Sequence, residues 1–104
     1  MAYFGENAVG ARVNFDGTGT PSIRDDYNVS TIGDNGTGEY TINFSTSFSN
    51  SSYAVATAGG GGTGSVSDGC NVHTFASGSF QSQWGNGGSV HDFPRCHFIV
   101  SGDI

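Results

Sequence analysis

Hydrophobic and polar residues alternate over two adjacent runs, Tyr27–Ile32 and Glu39–Ser45, separated by Gly33–Asp34–Asn35–Gly36–Thr37–Gly38. On the second run Tyr40, Ile42 and Phe44 fall on one side and Thr41, Asn43 and Ser45 on the other, the period of two that a half-buried strand requires. Asn35–Gly36 and Thr37–Gly38 tolerate the positive φ that tight hairpin loops need. The pattern predicts a β-hairpin. Comparable short runs recur at 11–16, 22–32, 39–46, 52–58, 70–76, 79–84 and 95–101. No window combines apolar three-and-four spacing with good helix formers. About seven short strands with turn signals between them predict an all-β fold, an antiparallel β-sandwich or jelly-roll-like domain with no substantial helix. Its inward faces should carry Ala11, Val13 and Phe15; Tyr27, Val29 and Ile32; Tyr40, Ile42 and Phe44; Tyr53 and Val55; and Phe98 and Val100.

Two segments, Gly59–Gly60–Gly61–Gly62–Thr63–Gly64 and Gly85–Asn86–Gly87–Gly88–Ser89, read as flexible loops. Neither divides the chain into domains, because neither side would be long enough to hold its own core. A single domain is therefore expected over 11–104. Residues 1–10, with Tyr3, Phe4 and Val9 but no periodicity, are expected to form a strap or the remnant of a longer fibre.

At 104 residues with 18 glycines, the chain has little core with which to offset a large ordering cost. Oligomerisation would supply the missing burial. The chain has no lysine, three arginines and nine carboxylates, for a net charge of −6. Nucleic acid is a poor partner for such a balance, since phosphate binding needs clustered cations. No apolar run approaches the roughly 20 residues that span a bilayer, so no membrane insertion is expected. Met1–Glu6 lacks the basic and apolar regions of a secretory signal.

Catalytic motifs fail at the level of spacing. There is no Gly-x-Ser-x-Gly elbow and no phosphate-cradling glycine loop with its lysine, so no enzyme and no cofactor are expected. Asp25–Asp26 and His91–Asp92 put neighbours on opposite faces of an extended chain. His73, His91, His97, Cys70, Cys96 and Asp92 contain no same-face ligand pair, and no metal site is expected. Cys70 and Cys96 read as reduced, partly buried thiols, with a disulfide between them possible but not favoured. The Asn-x-Ser/Thr triplets at Asn28, Asn35, Asn43 and Asn50 are glycan acceptors only in a eukaryotic secretory setting.

One constellation remains, Phe80–Gln81–Ser82–Gln83–Trp84–Gly85–Asn86–Gly87–Gly88–Ser89–Val90–His91–Asp92–Phe93. It holds the only tryptophan beside a glycine loop. An indole face can stack on a sugar ring while amide, imidazole and carboxylate groups bond its hydroxyls. Trp84, Asn86, His91 and Asp92 are thus the candidate binding residues. In the competing reading, Trp84 caps the core and the loop merely connects strands.

The stretch Ala11–Arg12–Val13–Asn14–Phe15–Asp16–Gly17–Thr18–Gly19–Thr20, then Ser22–Ile23–Arg24, the hairpin, and Asn50–Ser51–Ser52–Tyr53–Ala54–Val55 resembles a module common at the C-terminal ends of tail-fibre and related structural proteins of tailed bacteriophages, notably marine and freshwater ones. The resemblance covers roughly residues 11–58. It implies a virion protein of the phage tail, a homotrimer that contacts other virion tail proteins and meets a host-cell receptor, glycan or protein, outside the cell. From Gly59 to Arg95 no motif of the family is matched, and no binding residue is carried over. Capsid decoration, or another architectural role in the virion, is the alternative expectation; a secreted carbohydrate-binding module is a further one.

Overall fold

The computed structural model describes residues 9–60 and 68–103. These residues form strands β1 (Val9–Asp16), β2 (Ser22–Tyr27), β3 (Val29–Gly36), β4 (Glu39–Phe44), β5 (Ala54–Gly60), β6 (Asp68–Ala76), β7 (Ser79–Asn86), β8 (Ser89–Val90) and β9 (Arg95–Ser101). Two antiparallel sheets pack face to face. The first, sheet A, has the order β2-β1-β9-β5; the second, sheet B, has the order β3-β4-β7-β6, with β8 paired to the far end of β7. The all-β sandwich expected from the alternation is what the chain forms. No helix among the described residues is long and apolar enough to cross a membrane.

Alternation decides which residues meet between the sheets. Ala11, Val13 and Phe15 of β1 and Cys96, Phe98 and Val100 of β9 face Tyr40, Ile42 and Phe44 of β4 and Phe80, Ser82 and Trp84 of β7. Phe15 stacks on Phe98 across the β1–β9 pair at 6.2 Å and meets Tyr40 edge-on at 5.2 Å; Phe98 meets Phe80 edge-on at 5.1 Å. Phe48 and Tyr53, in the connection from β4 to β5, close one end of this layer against Phe44. Each buried aromatic contributes about 1.5–3 kcal/mol through the area it removes from water.

The run at 22–32, expected as one strand, is two. Asn28 takes φ 57°, a left-handed value that asparagine adopts more readily than other non-glycine residues. It sends β2 into sheet A and β3 into sheet B. The Asn28 side chain fastens this corner: its Nδ2 donates to Gly10 O in sheet A and to Thr46 O beyond β4, both at 3.0 Å, and its Oδ1 accepts from Thr46 N at 2.6 Å. Beyond the corner the facing of side chains is reset, so Tyr27 lies opposite Arg12 on the outer surface and is 54% exposed rather than in the core. Val29 is buried as expected, whereas Ile32 and Val55 are only partly covered.

Two further expectations change. Gly85–Ser89 is not a flexible loop but the tip of a second hairpin, where Gly87 (φ 60°) and Gly88 (φ 90°) form a two-residue turn and Gly85 and Asn86 pair with Val90 and Ser89. Gly59 and Gly60 belong to β5, paired with Cys96 and Arg95. The rest of the four-glycine segment, and residues 1–8 of the expected N-terminal strap, lie outside the described residues; Val9 and Gly10 open β1.

Asn28→Ala removes three hydrogen bonds that join the sheets and leaves alanine in a left-handed conformation. Stability should fall by about 2–4 kcal/mol, read as a lower urea midpoint, while Asn50→Ala, at an exposed position whose Oδ1 accepts only from Ser52 N, should change it by less than about 1 kcal/mol.

Candidate functional site

Sheet B presents a neutral outer surface made by cross-strand neighbours. Residues directly opposite in an antiparallel pair share a face. Gln83 therefore stands between Asn71 of β6 and Glu39 of β4, and Gln81 between His73 and Thr41; Ser79 lies beside Asn43, which faces Thr31 on β3. Asn43 Nδ2 donates to Thr31 Oγ1 at 3.1 Å and Asn35 Nδ2 donates to Thr41 Oγ1 at 2.7 Å, so part of this surface is held in place by its own hydrogen bonds.

At one end the surface dips into a cleft of about 360 Å³ between β6 and the β7–β8 hairpin. Its polar groups are the amides of Asn71, Gln83 and Asn86 and the hydroxyl of Ser89; Val90 supplies an apolar patch. Gly69 and Gly85, paired across β6 and β7, leave the backbone unscreened. None of the described side chains lining the cleft is charged. Such a site offers donors and acceptors in fixed positions and suits an uncharged ligand rich in hydroxyl or amide groups.

The hairpin that forms one wall is anchored rather than loose. An added Cβ at Gly85 would lie 2.4 Å from Ser89 O, so only glycine lets the two strands approach this closely. Behind it, Trp84 N donates to Gly38 O at 2.7 Å and His91 N donates to Trp84 O at 3.0 Å. Gly38 has φ 70°, and a Cβ there would meet Trp84 O at 2.5 Å. Asp92 completes the knot: its Oδ1 accepts from Gly38 N at 2.7 Å and lies 2.8 Å from the Tyr40 hydroxyl, which is also 2.7 Å from Gly17 O. Burial, followed by the hydrogen bond with Asp92, pushes the Tyr40 phenol well above its usual range, so it stays protonated as a donor.

Of the four residues singled out in the sequence, only Asn86 is placed to serve a ligand in the way expected. Trp84 is 1% exposed and packs edge-on to Phe93 and Phe98, each at 5.7 Å. Although it adjoins the cleft, it offers no ring face for stacking. Its indole N–H is buried with no hydrogen-bond partner among the described residues, a cost that the packing of the ring outweighs. Asp92 is a structural tie. His91 is exposed and sits beyond β8. Asn71 and Gln83 were missed because each is a single polar residue on an alternating strand; the isolated glycines at 69 and 85 were the available signal, since glycine within a strand marks close approach of backbone.

The cysteines are both free thiols. Cys96 lies in the core and its Sγ is 3.6 Å from Phe93 O; burial pushes its pKa up to about 12, with the nearby Cys70 thiol adding to the shift. Cys70, half-buried opposite Trp84, is pushed up to about 11, again mainly by burial. Neither is an activated nucleophile. No group of three or more His, Cys, Asp or Glu side chains placed to hold a metal occurs among the described residues.

Comparison with protein-family models, with curated proteins and with solved structures gives no match.

Trp84→Ala should lower stability by about 3–5 kcal/mol and Asp92→Ala by about 1–3 kcal/mol, both seen in urea unfolding followed by circular dichroism. A second expectation concerns alkaline pH. The Cys96 thiol ionises at its ordinary value of 9.0 when the chain is unfolded but only near 12 when folded, so between these values the unfolded state holds fewer protons and stability falls as pH rises. The slope from this thiol is at most about 1.4 kcal/mol per pH unit, and Cys96→Ala should make the decline measurably shallower from pH 9 upward.

Proposed function

We propose that this chain is a tail-fibre tip or tail-fibre domain of a tailed bacteriophage, and that it attaches the particle to its host through the β6–β7–β8 cleft. The observation that carries the reading is the cleft itself: a neutral, amide-lined depression with bare backbone at its base, set on a rigid sheet. The resemblance of residues 11–58 to phage fibre modules supports the setting. An acidic chain without lysine would be repelled by anionic surface polymers. The receptor is therefore a neutral glycan, held by the Asn71, Gln83 and Asn86 side chains through directional hydrogen bonds. Several tips on one particle would multiply a modest single-site affinity.

Gly69 provides a selective test. A Cβ added there meets nothing within 4 Å, so a side chain can be grown into the cleft without disturbing the fold. Gly69→Tyr should leave the unfolding midpoint unchanged or raise it, because glycine within a strand is costly. Binding of the labelled protein to host cells should drop by about tenfold or more, equivalent to about 1.4 kcal/mol. Unchanged adsorption by folded Gly69→Tyr would overturn the cleft as the receptor site. A wild-type protein that ignores all hosts but binds purified capsids would replace attachment with capsid decoration.

A further inference from the structure

The outer face of sheet A differs from the rest of the molecule in both charge and polarity. Arg12 stands between Tyr27 and Ile99, and Ile99 is followed by Ala56 on the edge strand β5. One row along, Asn14 and His97 lead to Ala58; at the other end Val9 and Ser101 lead to Ala54. Tyr27, Ile99 and Val9 are 54%, 52% and 47% exposed, and the three alanines of β5 are exposed as well. Large apolar side chains on a solvent-facing sheet beside a strand of small residues form a surface that water covers poorly.

All three arginines of the chain lie on this same face. Arg12 pairs with Asp25, Arg24 bonds Asn14 Oδ1 at 3.2 Å and reaches Asp16 at 3.7 Å, and Arg95 stands opposite Gly60 with no ion-pair partner among the described residues. Against them stand only Asp16 and Asp25 of the nine carboxylates, so the face carries a slight positive charge; the other seven carboxylates and no Lys or Arg fall to the rest of the chain. Two copies meeting through any other surface bring like charges together. Two meeting through sheet A do not.

We propose that copies of this chain associate through the outer face of sheet A, with Ile99, Tyr27 and the Ala54–Ala56–Ala58 row at the centre and the arginines around it. Charge selects the partner: the face is the one region of an acidic chain that another copy of the same chain can approach without repulsion. Strand β5 supports the packing, because its outward alanines allow close approach and it carries no charged residue to blunt its edge. The cleft lies on the opposite sheet and stays open in the assembly. The inference goes beyond attachment and does not depend on it.

The test is molar mass by light scattering coupled to size exclusion for wild type, Ile99→Glu, Arg95→Glu and, on the opposite face, Gln83→Glu. Wild type and Gln83→Glu should run at a multiple of 10.7 kDa. Ile99→Glu should fall to the monomer mass with an unchanged circular dichroism spectrum, and Arg95→Glu should dissociate at a higher protein concentration than wild type. A monomeric wild type overturns the proposal, as does a folded Ile99→Glu that keeps the wild-type mass; if Ile99→Glu does not fold, Arg95→Glu decides by the same criterion. Gly69→Tyr should remain assembled, so loss of host binding and loss of assembly are read separately.

Discussion

The fold depends on a single layer of aromatic rings between two thin sheets. Nine aromatic side chains are buried there, from Phe15 and Phe98 in sheet A to Tyr40, Phe44, Phe80 and Trp84 in sheet B, with Phe48, Tyr53 and Phe93 closing the ends. A chain with 18 glycines in 104 residues orders a large amount of flexible backbone and has few side chains with which to offset it. Rings bury the greatest area per residue, and their edge-on contacts add roughly 0.5–1.5 kcal/mol per pair. Trp84 belongs to that layer for this reason. The largest side chain in the chain is worth more between Phe93 and Phe98 than it would be at the tip of a hairpin.

With every large inward position committed, the two outer faces are free to diverge. Sheet B keeps amides, hydroxyls and one imidazole in register across β6, β7 and β4; sheet A gathers the arginines and the exposed apolar residues. The separation follows from strand order. Strands β1 and β9, at the centre of sheet A, carry Arg12, Ile99 and Arg95 on outward positions, whereas β7, at the centre of sheet B, carries Gln81, Gln83 and Gly85 there. A surface suited to a neutral ligand and a surface suited to another acidic copy thus point away from each other. Neither use competes with the other for residues.

Local periodicity made β1, β4 and β9 legible, because Ala11/Val13/Phe15, Tyr40/Ile42/Phe44 and Phe98/Val100 repeat at two residues without interruption. It failed where the chain departs from a straight strand. Tyr27 and Val29 share a parity, and an uninterrupted strand would bury both; the left-handed Asn28 between them makes one an outer residue and the other a core residue. Phe80, Ser82 and Trp84 alternate as well as any run, yet the serine and the following Gly–Asn–Gly–Gly drew Trp84 toward a loop. That glycine pair was itself the signature of a two-residue hairpin, and reading it so would have extended β7 and placed Trp84 inside. The tie from Asp92 to Gly38 and Tyr40 had no local signal, since it joins residues more than 50 positions apart.

The same ties that hide from the sequence make the cleft a candidate for recognition. A hairpin with two glycines at its turn would ordinarily lose conformational entropy on meeting a ligand and so bind weakly. Here its base is fixed from behind by Trp84 N to Gly38 O, by His91 N to Trp84 O and by the Asp92 carboxylate, while Gly85 lets β8 lie close against β7. The ordering cost is met when the domain folds, using free energy from the aromatic layer, and is not charged again to binding. Asn71 and Gln83 stand on paired strands rather than on a loop, so their backbone positions are set by the sheet. A small, neutral site of this kind gains its affinity from preorganisation and from repetition across assembled copies, and both requirements trace to residues that never touch the ligand.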